Sequence, residues 1–371
     1  MSAWLGLLAG LILVVVGADA LVRGAARAAG ALGVPSLLIG LTVVAYGTSS
    51  PELAVSLSAG AAAQPDLALA NVVGSNIFNV LAILGLAALF APLMASTEVV
   101  RREIPLMLLV TVAAMVLGAD GVFGRWDGFL MLAGLAAVTA GQVRIARRAL
   151  QARREAAAAR TAASPDAGRD PGRHAPGERD TRLRDALLRD ALFVAAGLTG
   201  LVIGAGWLVD AAVAIALDLG VSEVVVGLTI VAAGTSLPEL ATSVVAALRG
   251  ERDLAVGNIV GSNVFNLLGI LGLASLTAPT GLPVAAQVFG LDAWVALGAA
   301  ALLLPLARTG SALVRWEGAL LLLGYLAYLA AVVAIALGRL DLPPIAIAAA
   351  IGGLPLLAAA AVIARSARRP R

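Results

Sequence analysis

The sequence has no cysteine and no lysine, one histidine, and 13% charged residues over 371 positions. Without cysteine, a disulfide-stapled secreted domain is excluded, and zinc, copper and haem sites lose most of their usual ligands. The shortage of charge excludes intrinsic disorder. It also excludes an ordinary soluble domain, in which about 25% of residues are charged and about 45–50% apolar. Here 60% of residues are hydrophobic and the mean hydropathy is +0.97. Most of the chain must be solvated by lipid.

A spanning helix needs about 20 mainly apolar residues. Such runs lie at roughly 3–22, 35–60, 67–90, 104–118, 127–144, 190–217, 221–248, 254–278, 284–306, 316–338 and 342–364. They are unbroken and rich in Leu and Ala instead of alternating, which argues for helices and against a β-barrel. Met1-Ser2-Ala3-Trp4 lacks the basic start of a cleavable signal, so the first run is expected to remain as an anchor.

All 26 basic residues are arginine, and the net charge is +3. Such basicity can mark a nucleic-acid surface, but the placement of the arginines gives it another meaning. With the N-terminus outside, 24 of the 26 fall in inner loops or the C-terminal tail; only Arg125 and Arg339 fall outside. This positive-inside bias places the C-terminus in the cytoplasm of a cell-membrane protein. No nucleic-acid partner is implied. Residues 145–189 hold eleven of the 26 arginines, three prolines and His174. They read as an Arg-rich cytoplasmic linker, helical from Arg147 to Arg160 and then disordered.

The chain repeats itself. Residues 40–54 (GLTVVAYGTSSPELA) match 227–241 (GLTIVAAGTSLPELA) at twelve of fifteen positions. Residues 71–86 (NVVGSNIFNVLAILGL) match 258–273 (NIVGSNVFNLLGILGL) at twelve of sixteen. Both pairs share an offset of 187 residues. Five spans per copy is an odd number, so the second copy must cross the membrane in the opposite sense. The expected fold is all-α and polytopic: two inverted five-helix repeats, ten transmembrane helices in total, plus an eleventh C-terminal helix. The expected divisions are 1–144, the linker 145–189, 190–338, and 339–371. Inverted repeats are common in secondary transporters, which bind substrate near the midplane where the repeats meet.

Glu52 and Glu239 stand at equivalent positions deep in apolar runs. A carboxylate there costs about 2.5–3.5 kcal/mol on insertion scales, and such groups mark ion pathways. No arginine lies at similar depth to pair with them. Pro51 and Pro238 precede them and deprive the carbonyls of Gly47 and Gly234 of their helical partners. Thr48, Ser49, Thr235 and Ser236 add hydroxyls within a turn, with local back-bonding as the alternative use of the threonines. Ser75 and Asn79 share a helix face at i, i+4, and Ser262 and Asn266 repeat the arrangement. Asn76 and Asn263 fall on another face, suited to interhelical hydrogen bonds.

The donor set is thus all oxygen, which suits hard cations such as Ca²⁺, Mg²⁺ and Na⁺. Two ionised glutamates are neutralised by one Ca²⁺ or by two or more monovalent ions, but not stably by both loads. Mutual exclusion of this kind serves an exchanger. No histidine or lysine lies in a span to act as a base, so an enzyme is not expected. A channel would normally assemble its filter around an axis.

GTSxPEL and NxxGSNxFN, each present twice, resemble the α-repeats of the sodium/calcium exchanger branch of the cation/Ca²⁺ exchanger superfamily. The resemblance covers most of residues 1–338. It implies ten helices in two inverted halves. It also implies a central Ca²⁺ site of Glu52, Glu239 and the carbonyls of Thr48 and Thr235. Flanking Na⁺ sites would use Ser49, Ser75, Ser236, Ser262 and the carbonyls of Ala45 and Ala232, with Asn79 and Asn266 at the adjoining polar positions. Na⁺ entering down its gradient would drive Ca²⁺ out by alternating access, with Na⁺ and Ca²⁺ as transported ions and no cofactor. A proton-coupled divalent-cation exchanger of the same superfamily and a cation channel are the alternatives. Asn266 stands where some members carry Asp, which argues against K⁺ co-transport and against proton coupling at that position. The short linker has no counterpart of the large Ca²⁺-sensing domains of some animal relatives. The resemblance leaves the oligomeric state open.

Overall fold

A computed structural model describes residues 3–62, 64–94, 96–163, 176–221, 226, 229–230, 232–285, 287–308, 312–340, 343, 346–347 and 351. The chain is nearly all helical: α1 (Ala3–Leu32), α2 (Ser36–Thr48), α3 (Ser50–Ala61), α4 (Pro65–Phe90), α5 (Val99–Asp120), α6 (Arg125–Ala163), α7 (Pro176–Asp218), α8 (Leu237–Leu248), α9 (Arg252–Thr277), α10 (Ala293–Arg308) and α11 (Arg315–Ala336). Among the described residues, seven helices are long and apolar enough to cross a membrane, or eight if α2 and α3 are taken as one bent span. Two shorter apolar helices, Leu237–Leu248 and Val288–Leu304, fall in the expected runs 221–248 and 284–306. Apart from positions 343, 346–347 and 351, the expected eleventh span at 342–364 lies outside the described residues.

Three features sharpen or differ from the sequence reading. The disruption that Pro51 imposes on the run 35–60 is a full break: α2 and α3 meet at 47°, and the break falls at Ser49, with φ −79° and ψ 13°. Pro51 therefore starts a new helix in its first turn, where its missing N–H costs nothing. Second, the stretch read as disordered is shorter: α7 begins at Pro176 and runs unbroken through 189, while residues 164–175 lie outside the described residues. After Gly177 this segment has no Gly or Pro, and Asp180/Arg184 and Asp185/Arg189 repeat opposite charges at i, i+4, which favours helix. Third, helix-period reasoning gives no sign of the π turns at Gly40–Val44, Phe78–Ile83, Val99–Glu103, Asn266–Ile270 and Val288–Asp292. Such turns often accompany functional sites.

The halves are related by a pseudo-twofold. The residues of β1 (Leu93–Met94) pair antiparallel with those of β4 (Ala312–Leu313), and β2 (Val122–Phe123) pairs in the same way with β3 (Leu282–Pro283); exchanging the halves converts one mini-sheet into the other. The equivalent helices α1 and α7 run antiparallel, as inversion requires. Gly10 abuts Gly204, Gly17 abuts Gly197 and Leu201, and Gly24 abuts Asp190. Small residues of this kind let helix backbones touch where lipid offers no hydrophobic drive for association.

Helices α4 and α9 are sheathed by the others and carry eight of the 22 buried polar or charged residues among those described. The outer helices turn large apolar side chains outward: Leu8, Leu11, Ile12, Val15 and Val16 on α1, Phe129 and Leu130 on α6, and Leu323 and Leu326 on α11. Such a surface suits acyl chains and not water. Trp126 and Trp316, 80% and 45% exposed at the starts of α6 and α11, sit where interfacial aromatics are placed.

Candidate functional site

The breaks before Pro51 and Pro238 face each other across the pseudo-twofold. Ser49 and Ser236 occupy the two breaks with nearly identical backbone angles. Each reaches into the opposite half: Ser49 Oγ donates to Glu239 Oε1 at 2.7 Å, and Ser236 Oγ donates to Glu52 Oε1 at 2.7 Å. Both glutamates are fully buried. The two expected carboxylates are thus brought together, each held through the other repeat's serine.

The threonines also cross. Thr48 Oγ1 donates to Asn258 Oδ1 at 3.2 Å, with a longer local bond to the Ala45 carbonyl, and Thr235 Oγ1 donates to Asn71 Oδ1 at 3.3 Å. Local back-bonding falls to Ser50, whose hydroxyl donates to the Gly47 carbonyl at 2.7 Å. That is the carbonyl Pro51 leaves without its helical donor. The second repeat has Leu237 at this place, so the Gly234 carbonyl has no matching hydroxyl.

Helices α4 and α9 complete the floor. Asn79 Nδ2 donates to Asn263 Oδ1, and Asn266 Nδ2 donates to Asn76 Oδ1, each at 3.0 Å. Asn76 Nδ2 donates to the Asn263 carbonyl at 3.2 Å. The interhelical role expected of Asn76 and Asn263 is therefore what they perform. They occupy the amide N–H groups of Asn79 and Asn266 and leave those residues' carbonyl oxygens free. The π turns begin at Phe78 and Asn266, beside these positions.

Five buried oxygens among the expected site residues have no hydrogen-bond partner: Glu52 Oε2, Glu239 Oε2, Ser75 Oγ, Asn79 Oδ1 and Asn266 Oδ1. A buried polar group left unsatisfied costs about 1–3 kcal/mol. All five lie on the two repeated motifs, and oxygens of this kind are what a bound hard cation would satisfy. Ser262 and Ala45 are less open: Ser262 Oγ donates to the Ala45 carbonyl at 3.4 Å, so the two predicted ligands cap each other. Ala232 opens the short helix Ala232–Gly234 at the equivalent place.

Sequence reasoning missed the residues that hold this frame. Asn71 Nδ2 donates to Ser56 Oγ at 2.8 Å and to the Glu52 carbonyl at 3.1 Å. Asn258 does the same to Ser243 Oγ at 3.0 Å and the Glu239 carbonyl at 3.5 Å. With their oxygens taken by the opposite threonines, each asparagine ties three helices together. A signal was present: 71, 75 and 79 share one helix face at i, i+4, i+8, as do 258, 262 and 266. Thr242, one turn after Glu239, adds another unpartnered buried oxygen. Its equivalent is Val55, so repeat comparison gave no hint of it.

Comparison with known proteins bears on the family and the fold. The sodium/calcium exchanger protein family matches residues 2–144 and 190–334. The sodium/calcium exchanger MaX1 of Methanosarcina acetivorans is 33% identical over 348 residues, covering 87% of this chain and 96% of that protein. The inner membrane protein YrbG of Escherichia coli is 40% identical over 273 residues, covering 74% of this chain and 79% of the relative. Among solved structures, the sodium-calcium exchanger NCX_Mj soaked with 2.5 mM Na⁺ and 0.1 mM Ca²⁺ superposes with a TM-score of 0.71 at 30% identity, over 91% of this chain and 99% of that one.

Proposed function

This chain belongs to the sodium/calcium exchanger family, and on that premise we propose that it exchanges Na⁺ for Ca²⁺ across the cell membrane by alternating access. The arginine distribution sets the N-terminus outside and the C-terminus inside, and Ca²⁺ leaves the cytoplasm as Na⁺ enters. The observation that carries the reading is the pair of buried glutamates, each with one oxygen held by the opposite repeat's serine and one without a partner.

The paired charges account for the exchange. Glu52 and Glu239 supply a charge of −2 to whatever lies between them. One Ca²⁺ balances it, drawing on the free glutamate oxygens and on the carbonyls of Thr48 and Thr235. Na⁺ ions balance it from flanking positions, using Ser49, Ser75, Ser236, Ser262, Asn79, Asn266 and the carbonyls of Ala45 and Ala232. Loading both would leave uncompensated positive charge in a low-dielectric site, which is strongly opposed. Binding of either load therefore expels the other, and the two share one pathway.

Uptake of ⁴⁵Ca²⁺ into proteoliposomes with imposed Na⁺, K⁺ or H⁺ gradients tests the proposal. Uptake is expected with an outward Na⁺ gradient and not with K⁺ or H⁺ gradients alone. Equal uptake on a pH gradient in Na⁺-free buffer would make the protein a proton-coupled exchanger instead.

A second expectation concerns the frame. Asn71→Ala and Asn258→Ala each remove a residue that joins three helices, leaving buried groups short of a partner at about 1–3 kcal/mol. Half-saturating Ca²⁺ should rise by roughly tenfold in either variant, a value within that energy range. An unchanged half-saturation would remove these residues from the account.

A further inference from the structure

The inverted repeat is broken by charge where α1 meets α8. Helices α1 and α7 form a single body: their glycines bring the backbones into contact, Arg27 Nε donates to Asp190 Oδ1 at 2.7 Å, and the Arg27 guanidinium lies 4.6 Å from the Phe193 ring centre. This body packs unevenly on the rest. Helix α1 lies along α8, and α7 also touches α8; among the described residues, neither makes comparable contact with α3, the equivalent of α8 in the other half.

Exchanging the roles of the two repeats generates the opposite-facing state of an inverted-repeat protein. In that state the α1/α7 body lies along α3 and leaves α8. Asp19 on α1 is the group that such a motion separates. One of its oxygens meets the Arg249 guanidinium at the end of α8, and the other lies 2.8 Å from Arg23 on its own helix. Under the 187-residue offset, Asp19 corresponds to Gly206 and Arg249 to Ala62. The contact therefore cannot be remade on the other side. It stabilises one of two states that the repeat would otherwise make nearly equivalent.

We propose that Asp19 and Arg249 form a one-sided latch that biases the protein toward the state closed at its arginine-rich face. This inference rests on the alternating-access reading above. In the proposed orientation, the resting protein keeps the cytoplasmic side shut and meets external ions first. The Asp19 and Arg249 side chains are 30% and 37% exposed, and pairs open to water contribute little. Breaking the latch should therefore raise the population of the opposite state about two- to fivefold.

The chain has no cysteine, so spin labels can be placed without background. Ser58→Cys on α3 and Trp207→Cys on α7 are both exposed, and their separation shortens when α7 closes on α3. Pulsed electron resonance of this labelled pair in proteoliposomes reports the two populations without any transport. Arg249→Gln should raise the short-distance fraction about two- to fivefold, and Arg249→Glu further, by repulsion from Asp19. Arg249→Lys should restore the parent ratio. In oriented vesicles, Arg249→Gln should lower half-saturating Ca²⁺ at the arginine-rich face and raise it at the other, whereas a merely structural defect would move both the same way. Two distances whose ratio ignores residue 249 would overturn the latch alone. A single distance under every ion condition would overturn the latch together with the alternating-access reading.

Discussion

Glu52→Gln and Glu239→Gln should each abolish Ca²⁺ transport while leaving the protein folded. Each side chain has one oxygen that accepts from the opposite repeat's serine and one with no partner. Glutamine keeps the acceptor for the serine, so the crossing bonds that join the repeats survive. What it removes is charge. One unit charge about 4 Å from another, at an effective dielectric near 20, contributes about 4 kcal/mol, a factor of roughly a thousand in affinity. Against a divalent ion the loss is larger. Ca²⁺ uptake should therefore fall by about a thousandfold or more, to the level of empty vesicles, with an unchanged gel-filtration profile. Wild-type flux in either variant would remove the glutamates from the site.

The second large effect should be structural. A Cβ added at Gly197 would lie 2.6 Å from the Leu21 nitrogen and 2.7 Å from the Gly17 carbonyl oxygen. These are backbone atoms of α1 and cannot rotate aside, so α1 and α7 must separate. Overpacking of this kind typically costs about 1–3 kcal/mol, and Gly197→Ala should lower the thermal midpoint in detergent by roughly 3–10 °C. Gly197→Leu should leave no monodisperse protein. Gly206 on the same helix is the control, because nothing lies within 4 Å of an added Cβ there. Gly206→Ala should be neutral or stabilising by about 0.5–1 kcal/mol, since it removes backbone freedom from the unfolded chain. Equal effects at 197 and 206 would contradict the close-packed α1/α7 contact.

The fold class was legible because each of its signals is carried many times over. Hydropathy marked lipid as the solvent, and two motifs at one offset marked an internal pair. The glutamates were legible for a physical reason: a carboxylate inside an apolar run has no cheap structural explanation. The crossing of the bonds was not legible. Ser49 lies three residues before Glu52, and a linear reading assigns it to that glutamate. Only the meeting of two inverted halves sends its hydroxyl to Glu239. Pro51 signalled a break but not its place at Ser49, and the π turns in α4 and α9 escaped because they are set by tertiary packing and not by periodicity. Asn71 and Asn258 stood in plain view within the repeated motif. Their role depends on which helix lies opposite, and one-dimensional spacing does not say that. Asp19 and Arg249 were hidden for the converse reason: neither has a charged counterpart in the other half, and attention to what the halves share passes over what only one half has.

The central claim is that two buried glutamates form one cation site that holds either Ca²⁺ or Na⁺. Equilibrium ⁴⁵Ca²⁺ binding to the purified protein, titrated with NaCl at constant ionic strength, tests it most directly. The account predicts that Na⁺ displaces Ca²⁺ completely and that choline at the same concentration does not, with no Ca²⁺ bound by the Glu52→Gln/Glu239→Gln double variant. Ca²⁺ binding that ignores Na⁺, or that persists in the double variant, would contradict it.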